Sequence, residues 1–258
     1  MTVGEIWDWI DRLAPFASQA DFDNSGLVAG DPAAEVHSAL FALDATLPVV
    51  KEAVEIGADL IVTHHPLMFD PVKRVRYDQP EGAVLAALLG ARLSLISAHT
   101  NLDQAEGGTG DTLAAALGLT AVGSPASNPY IRIGRFAQPK TAGVFLAEID
   151  RALGTHARLY GDPDASVGRV AVGPGACGDA YEAAAREGAQ AFVVGEIKHH
   201  ELIGAQLLGL TVYDAGHYQT EQPGLAALYR RFTQDAQTGR WPVEARLTAL
   251  RPYDCTVA

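Results

Sequence analysis

The sequence has few cysteines and no long apolar run. Cys177 and Cys255 are the only cysteines among 258 residues, so we predict no disulfide scaffold and expect a reducing cytoplasm as the location. No apolar stretch approaches the roughly 18 residues of a membrane-spanning helix. The amino terminus also lacks the basic and apolar segments of a signal peptide. We therefore predict a cytoplasmic protein with no membrane partner.

Basic residues are scarce as well. The chain has 31 Asp and Glu against 19 Lys and Arg, a formal net charge of −12. Nucleic-acid binding through phosphate neutralisation needs a basic face, so we expect no nucleic-acid partner. A phosphorylated small molecule remains a compatible substrate where metal cations supply positive charge. The hydrophobic content of 48% and charged content of 19% are typical of an ordered globular protein.

Histidine is the residue type with the most informative distribution. Six of the eight histidines fall into two similar groups, each following probable strands: His64, His65 and His99; His199, His200 and His217. Two of them open the same signature, a histidine followed three residues later by a carboxylate, in His99–Asp103 and His217–Glu221. Buried imidazoles need polar partners, so cores contain few of them. Histidines with carboxylates are typical transition-metal ligands, and we predict a site with two metals.

Short apolar runs alternate with helical patterns in both halves of the chain, which predicts parallel α/β units. The predicted strands are Ser38–Leu43, Asp59–Thr63, Leu93–Ala98, Arg169–Val172, Ala191–Val194 and Leu210–Tyr213. The final predicted helix runs from Gly224 to Phe232, after Pro223. Because the pattern recurs, we predict an α/β fold with two similar lobes from an internal duplication. The predicted boundaries are 1–122 for the amino-terminal lobe, 123–164 for a connecting segment with a helix at Ala142–Leu153, and 165–258 for the carboxyl-terminal lobe.

The His64-His65-Pro66 tripeptide follows the second predicted strand. Adjacent residues of a regular strand point to opposite faces, so both histidines serve one site only where the strand has ended. Pro66 supplies that ending, and the carboxyl ends of parallel strands are where α/β sheets bind ligands. Adjacent histidines there can reach two metals roughly 3.5–4 Å apart. The alternative is two unrelated surface histidines.

Asp103 and Glu221 follow equivalent predicted strands of the two halves. A carboxylate has two oxygens and can bridge two cations. His217 and Glu221 share a face if their segment is helical, because they are four residues apart. Asp103 alone is equally typical of a loop or helix cap, and Glu221 alone of a solvated first turn. Their joint occurrence beside the histidines favours ligands.

The remaining polar residues near these strands have two interpretations each. For His99 we favour a hydrogen bond to Asp103 or to a ligand imidazole over direct ligation. Glu196, Lys198, His199 and His200 follow the equivalent strand of the second half and are candidates for a substrate pocket or proton transfer. Glu196 is the candidate catalytic residue among them. Otherwise these four residues form a solvated helix start.

A glycine-rich segment, Gly173–Gly178, matches the G-x-G-x-x-G pattern between a predicted strand and helix. That context, with Glu196 about 20 residues further on, is what a dinucleotide-binding turn requires. Pro174 removes one N–H from the turn. We therefore favour a tight structural turn over phosphate contact.

Several segments together resemble the Nif-three-like family of dinuclear metal-centre proteins, also known as the GTP cyclohydrolase 1 type 2 family. The matching segments cover nearly the whole chain: Asp23–Leu27, Leu43–Thr46, Gly57–Pro66, Ala98–Asp103, Ile131–Arg135, Gly195-Glu196 and Ala215–Tyr218. The resemblance implies metal ligands at His64, His65, Asp103, His217 and Glu221. It also implies metals in a cleft between two lobes and a ring-shaped homohexamer. Gln222 stands where many relatives are expected to have a basic residue.

Two main hypotheses for function follow, ranked ahead of a third, a nucleotide-dependent oxidoreductase that would rest on Gly173–Gly178. The first is a dinuclear-metal-dependent hydrolase with a small-molecule substrate, acting through a metal-activated water on GTP, another nucleotide or a phosphoester. Its cofactors are two divalent transition-metal ions per chain, and the ligand types suit Zn, Fe, Mn, Ni or Co. The alternative is a non-enzymatic oligomeric metal-binding or regulatory protein, which needs the same ligands and no polar substrate pocket.

Overall fold

The computed structural model describes residues 1–253, and Cys255 lies outside that range. The helices of the described chain are α1 Val3–Leu13, α2 Leu47–Glu55, α3 Pro80–Gly90, α4 Thr100–Gln104, α5 Thr109–Ala116, α6 Ala142–Leu153, α7 Tyr181–Arg186, α8 His199–Leu207 and α9 His217–Gly239. The strands are β1 Gly26–Ala29, β2 Ser38–Ala42, β3 Leu60–Thr63, β4 Ser94–Ser97, β5 Thr120–Gly123, β6 Arg132–Thr141, β7 Arg158–Tyr160, β8 Ser166–Gly173, β9 Ala191–Val194, β10 Thr211–Asp214 and β11 Glu244–Leu247. None of these helices has the length and apolar character needed to cross a bilayer.

The first compact unit contains residues 1–105 together with the described residues from 225 onward. Its five strands lie in the order β1-β4-β3-β2-β11, and β1 is antiparallel to its neighbour. Alternation along β2 assigns side chains to two cores: Leu40 packs with Val50 of α2 and Leu88 of α3, and Phe41 contacts Phe232 of α9. Burial on both faces explains why the parallel strands are continuous apolar runs.

The second compact unit contains residues 106–224. Its sheet has six strands in the order β5-β6-β8-β9-β10-β7. Strands β8, β9 and β10 are parallel, and β5, β6 and β7 each run antiparallel to a neighbour. Val193 packs with Phe145 of α6 on one face, whereas Phe192 packs with Ala184 of α7 on the other. This sheet is therefore also covered on both faces.

Both units contain the same arrangement of four strands. Consecutive parallel strands lie side by side as β2-β3-β4 in the first unit and β8-β9-β10 in the second. The strand before each series, β1 or β7, pairs antiparallel with the third strand. In both units the carboxyl ends of the second and third strands lead into the residues singled out above. This is the edge at which open α/β sheets bind ligands.

The mixed α/β class predicted from the sequence is confirmed, and α6 coincides with the helix predicted at Ala142–Leu153. The helix predicted from Gly224 instead begins at His217. Its first turn is extended by Thr220, whose N–H and hydroxyl both donate to the Gly216 carbonyl oxygen, so that Pro223 lies inside the helix. The compact units divide at 105/106 and 224/225, and within them β6 pairs with β8 and β11 returns to β2.

Candidate metal centre

Three histidines of the first unit lie together beyond the ends of two neighbouring strands. His64 and His65 follow β3, and His99 precedes α4 after β4. The ring centroids are 4.9 Å apart for His64 and His65, 5.2 Å for His64 and His99, and 5.3 Å for His65 and His99. One nitrogen of each ring lies within 4.8 Å of the others. The end of β3 therefore brings the two adjacent imidazoles to one place, as the His-His-Pro sequence predicts.

The loop after β3 is held in shape by hydroxyl groups. Thr63, the last residue of β3, donates through Oγ1 to the His65 carbonyl oxygen at 2.8 Å. The same hydroxyl lies 2.8 Å from Ser97 Oγ at the end of β4. Both side chains are fully buried. A buried hydroxyl with its partners in place rigidifies the turn from which the imidazoles project.

The Nδ1 atoms of all three histidines are engaged by oxygen acceptors. His64 Nδ1 donates to the Ala98 carbonyl oxygen at 2.8 Å, which only accepts. His65 Nδ1 lies 2.8 Å from Asp44 Oδ1, and His99 Nδ1 lies 3.0 Å from Asp23 Oδ1. An Nδ1 that donates leaves Nε2 with its lone pair, which is the ligating form of imidazole. The surrounding residues thus orient three Nε2 atoms as electron-pair donors.

Asp103 supplies a carboxylate to this cluster from the first turn of α4. Its Oδ1 lies 3.5 Å from His64 Nε2, and both residues are buried. A buried carboxylate beside the ligating nitrogen of an imidazole is a combination that transition metals bind. The structure therefore brings together His64, His65 and Asp103, which the sequence proposed as ligands, and adds His99 to them.

Asp23 is the residue that fixes His99. Burial would raise the pKa of Asp23, but hydrogen bonds from His99, Thr100 and Ser25 outweigh it and hold that pKa well below its ordinary value. The carboxylate accepts from the Thr100 N–H at 3.0 Å, the Thr100 hydroxyl and the Ser25 hydroxyl at 2.8 Å. Asp23 therefore stays ionised opposite the His99 ring. The Nδ1 atom of His99 thus hydrogen-bonds Asp23, and neither Asp103 nor another imidazole.

The second unit contributes a histidine and a carboxylate from the first turns of α9. His217 Nε2 lies 3.1 Å from Glu221 Oε1, since residues four apart share a helix face. His217 Nδ1 lies 2.8 Å from Glu196 Oε1. Glu221 is 3% exposed, whereas the Glu196 side chain is 61% exposed. A buried carboxylate and an imidazole held through Nδ1 thus form a second donor set of the same chemistry.

The glycine-rich segment supports this second donor set. Gly175 has φ +59°, its N–H donates to Thr220 Oγ1 at 3.0 Å, and its carbonyl accepts from the Glu196 N–H at 2.9 Å. A Cβ on Gly175 would overlap Glu221 Oε1 and lie 3.2 Å from His217 Nε2. These contacts favour the tight structural turn, because the Gly175 N–H is already engaged.

The residues from 198 to 200 form the exposed start of α8. Lys198 Nζ lies 3.4 Å from Glu201 Oε1, and His200 Nε2 lies 4.0 Å from the same oxygen. The Lys198 N–H donates to Glu201 Oε2 at 2.8 Å, as at many helix starts. His199 is also exposed. The contacts found for this segment match the alternative of a solvated helix start.

The sequence did not identify the two aspartates that hold His65 and His99. Asp44 is 21 residues from His65, and Asp23 is 76 residues from His99. No spacing rule connects residues so far apart. The available signal was the resemblance, because Asp23–Leu27 and Leu43–Thr46 are among its matching segments.

The chain is thus an α/β protein with two sheets. Its histidines are anchored through Nδ1 and lie beside buried carboxylates, an arrangement that fits a transition-metal centre. The chain belongs to the Duf34/NIF3 (NGG1p interacting factor 3) family, whose model matches residues 1–252. It is 34% identical over 233 residues to the GTP cyclohydrolase 1 type 2 homolog of Streptomyces coelicolor, covering 86% of this chain and 82% of that one. It is 29% identical over 239 residues to the Clostridium acetobutylicum protein of the same name, covering 90% and 89%.

A solved structure has the same fold. The Staphylococcus aureus hypothetical protein SA1388 superposes with a TM-score of 0.92 at 25% sequence identity, covering 99% of each chain. The family and the mixed α/β architecture are thereby established for this chain. The donor set fits a transition metal by its chemistry, since imidazole nitrogen and carboxylate oxygen suit Zn, Fe, Mn, Ni and Co alike.

Proposed function

We propose that this chain is a dinuclear-metal-dependent hydrolase acting on a nucleotide or another phosphoester. The observation that carries the proposal is the anchoring of His64, His65, His99 and His217 through Nδ1, which presents each Nε2 as an electron-pair donor. Structural histidines of a core do not need to present Nε2 in this shared orientation, whereas histidines of a metal site do.

The proposed ligands are the five residues named from the sequence, with His99 as a further donor: His64, His65, Asp103, His217 and Glu221. Two divalent cations held by these residues would supply Lewis acidity and an activated water near neutral pH. Asp23 and Asp44 orient the imidazoles of the first unit. Glu196 bonds His217 Nδ1 and is exposed, so it is placed to exchange a proton with solvent.

We further propose that the two units arose by internal duplication. The support is the shared arrangement of three parallel strands with a preceding antiparallel strand on the third. The donor sets follow the corresponding strands in both units. In this proposal both sets serve one dinuclear centre in a cleft between lobes, as the family resemblance implies.

GTP is the first substrate to test, because the curated relatives carry the name GTP cyclohydrolase 1 type 2 homolog. Turnover of GTP, other nucleotides and simple phosphoesters should be measured for the wild type, Asp103→Asn and Glu221→Gln. Both variants should lose turnover and bound metal while keeping their circular dichroism spectra. Glu35→Gln, at an exposed carboxylate of the first unit, serves as the matched control. Undiminished turnover in the two ligand variants would contradict the proposal.

The alternative function is that of an oligomeric metal-binding or regulatory protein without turnover. The exposure of Lys198, His199 and His200 favours it, because these residues were the expected lining of a substrate pocket. Glu196→Gln distinguishes the two functions through the ratio of turnover to bound metal. A hydrolase should lose turnover in excess of metal, whereas a metal carrier shows no turnover to lose. The ring-shaped homohexamer is likewise a proposal, and light scattering of the purified protein measures the number of chains.

A further inference from the structure

A cleft of about 380 Å³ opens in the second unit, and its lining contains none of the histidines and carboxylates of the candidate metal centre. Its walls come from β5, β6, β8 and the end of α7, and include Ser124, Gly134, Arg135, Arg169 and Glu187. Arg169 lies four residues before Gly173 on β8, roughly 13 Å along an extended strand. The cleft is therefore a different place on the sheet from the carboxyl-terminal edge that holds the metal-site residues. We call it the arginine cleft.

Two arginines lie side by side in the wall of the arginine cleft. Arg135 of β6 and Arg169 of β8 are direct partners in the antiparallel register, so they share one face of the sheet. Directly opposed residues have Cβ atoms about 4.5–5.5 Å apart, and like charges in that position destabilise the pair. Such repulsion is relieved when an anion lies between the two guanidinium groups.

The arginine cleft has too little acidic charge to neutralise both guanidinium groups. Arg169 Nη2 lies 3.9 Å from Glu187 Oε2, a weak and largely exposed contact. Arg135 has no ion-pair partner within residues 1–253. A net positive cleft is unusual in a chain whose formal charge is −12. The positive charge of the cleft thus favours an anionic ligand, although the protein as a whole carries a net negative charge that repels anions.

The backbone at the rim of the arginine cleft is also irregular. Ala121 has φ +51°, a left-handed conformation that residues with a Cβ rarely adopt. The ladder between β5 and β6 is broken between Thr120 and Gly123. Strained, irregular backbone is concentrated at ligand sites, and this stretch lines the cleft beside the arginines.

We propose that the arginine cleft binds the phosphoryl group of a small ligand through Arg135 and Arg169. Guanidinium forks match the oxygens of phosphate in a bidentate manner. The volume lies within the roughly 300–1,000 Å³ of small-molecule sites, and Ile133 and Pro125 supply apolar surface for an attached organic group. This site is independent of the proposed hydrolase activity.

Calorimetric titration of the intact protein at low ionic strength tests the assignment, with inorganic phosphate and phenyl phosphate as probes. Arg135→Gln and Arg169→Gln should each weaken both probes about tenfold, since each removes one charged donor. Glu187→Gln should tighten binding about two- to threefold by removing a competing carboxylate. Arg151→Gln, at an exposed arginine of α6, should bind like the wild type. Tighter binding of the ester than of free phosphate would identify the ligand as a phosphomonoester.

Thermal unfolding without phosphate provides the folding control. Both arginine variants should melt at or above the wild-type temperature, because each removes a like-charge contact. Phosphate binding at the metal site would be insensitive to Arg135 and Arg169. Absence of binding, or unchanged affinity in both folded arginine variants, would overturn the assignment.

Discussion

The two compact units contain the same series of strands and the same signature, yet the signature adopts a different geometry in each. In the first unit, Thr63 of β3 pairs with Ser97 of β4, and His99 follows two residues later. In the second, Val194 of β9 pairs with Asp214 of β10, and His217 follows three residues later. Counted from these paired strand residues, the signature of the second unit therefore begins one residue later than the signature of the first unit.

This one-residue difference decides how each histidine meets its carboxylate. His99 is the N-cap of α4 and lies outside the helix, so its ring turns toward His64 and His65. His217 is the first residue of α9, and its ring contacts Glu221 one turn later. An identical spacing thus specifies different contacts, because the helix begins at a different point of the signature.

The units also differ in how their imidazoles are supported. The Asp23 side chain is fully buried against His99, whereas the Glu196 side chain against His217 is 61% exposed. Hydrogen bonds to a charged group are stronger where water is excluded. We therefore expect the first unit to hold its ligands more rigidly, which the following variants test.

The largest effect should come from removing a proposed metal ligand of the first unit. His64→Asn takes away a buried imidazole, and the protein should lose bound metal by more than the roughly 10–100-fold typical of an outer-shell change. His37→Asn, at an exposed histidine of the same unit, should leave metal content unchanged. Elemental analysis of both variants is the measurement. Equal metal in the two would break the assignment of the cluster.

Gly175→Ala should produce the next largest effect, at the second donor set. The new Cβ would overlap Glu221 Oε1, so metal affinity should fall together with stability. Gly154→Ala is the matched control, because Gly154 has nearly the same φ, +61°, and open space around its Cβ. That control should lose about 1 kcal/mol of unfolding free energy from backbone strain and keep its metal. Metal loss in both, or in neither, would show that the contact with Glu221 is unimportant.

Asp23→Asn and Glu196→Gln compare the buried and exposed supports directly. Asp23→Asn should weaken metal binding by about 10–100-fold, because the amide no longer orients His99 as a buried anion does. Glu196→Gln should weaken it by less, about two- to fivefold, since solvent already screens that carboxylate. Competition with a chromogenic chelator measures both. A larger loss from Glu196→Gln would reverse the proposed order of rigidity.

The smallest effect concerns stability alone. In the first unit Asp235 accepts from Arg231 Nε at 2.9 Å and from Trp9 Nε1 at 3.0 Å, and these bonds lower the pKa of Asp235. A carboxylate whose pKa is lowered in the folded chain stabilises the fold at pH values above its unfolded-state pKa of about 3.9. That stabilisation is lost as the pH falls through the pKa of the folded chain. Asp235→Asn should therefore lower the free energy of unfolding by less than about 1 kcal/mol at pH 7 and leave it unchanged in strong acid.

Chemical denaturation at several pH values, with metal content measured beside it, checks this prediction. Asp8→Asn, at an exposed carboxylate of α1, should match the wild type at every pH. Metal content should not change in either variant. If Asp235→Asn lowered the free energy of unfolding by the same amount at every pH, the charge of Asp235 would contribute nothing to stability.

The parallel strands were predictable from sequence because they are short apolar runs covered on both faces. The antiparallel strands β1, β5, β6 and β7, and the parallel edge strand β11, were not predicted. Their burial is partial or irregular, as in β5 with all four residues exposed, so their sequences lack a strong period. Their positions follow from pairing with distant strands, such as β11 with β2. Local sequence does not encode such partners.

The candidate site shows the same division. Histidines and carboxylates at strand ends were identifiable by type and spacing. The acceptors Asp23 and Asp44 were not, because only the folded chain brings them to the rings. The start of α9 was also misplaced, because the helix continues through Pro223 and begins at His217. Spacing thus singled out the candidate donors, and tertiary contacts determine how their side chains are oriented.

We claim above all that the anchored imidazoles and carboxylates hold metal. The most direct test is the metal content per chain of protein purified without a histidine tag or added metal, measured by mass spectrometry. We predict about two equivalents of a divalent transition metal. Near-zero metal that added divalent ions do not restore would contradict the claim.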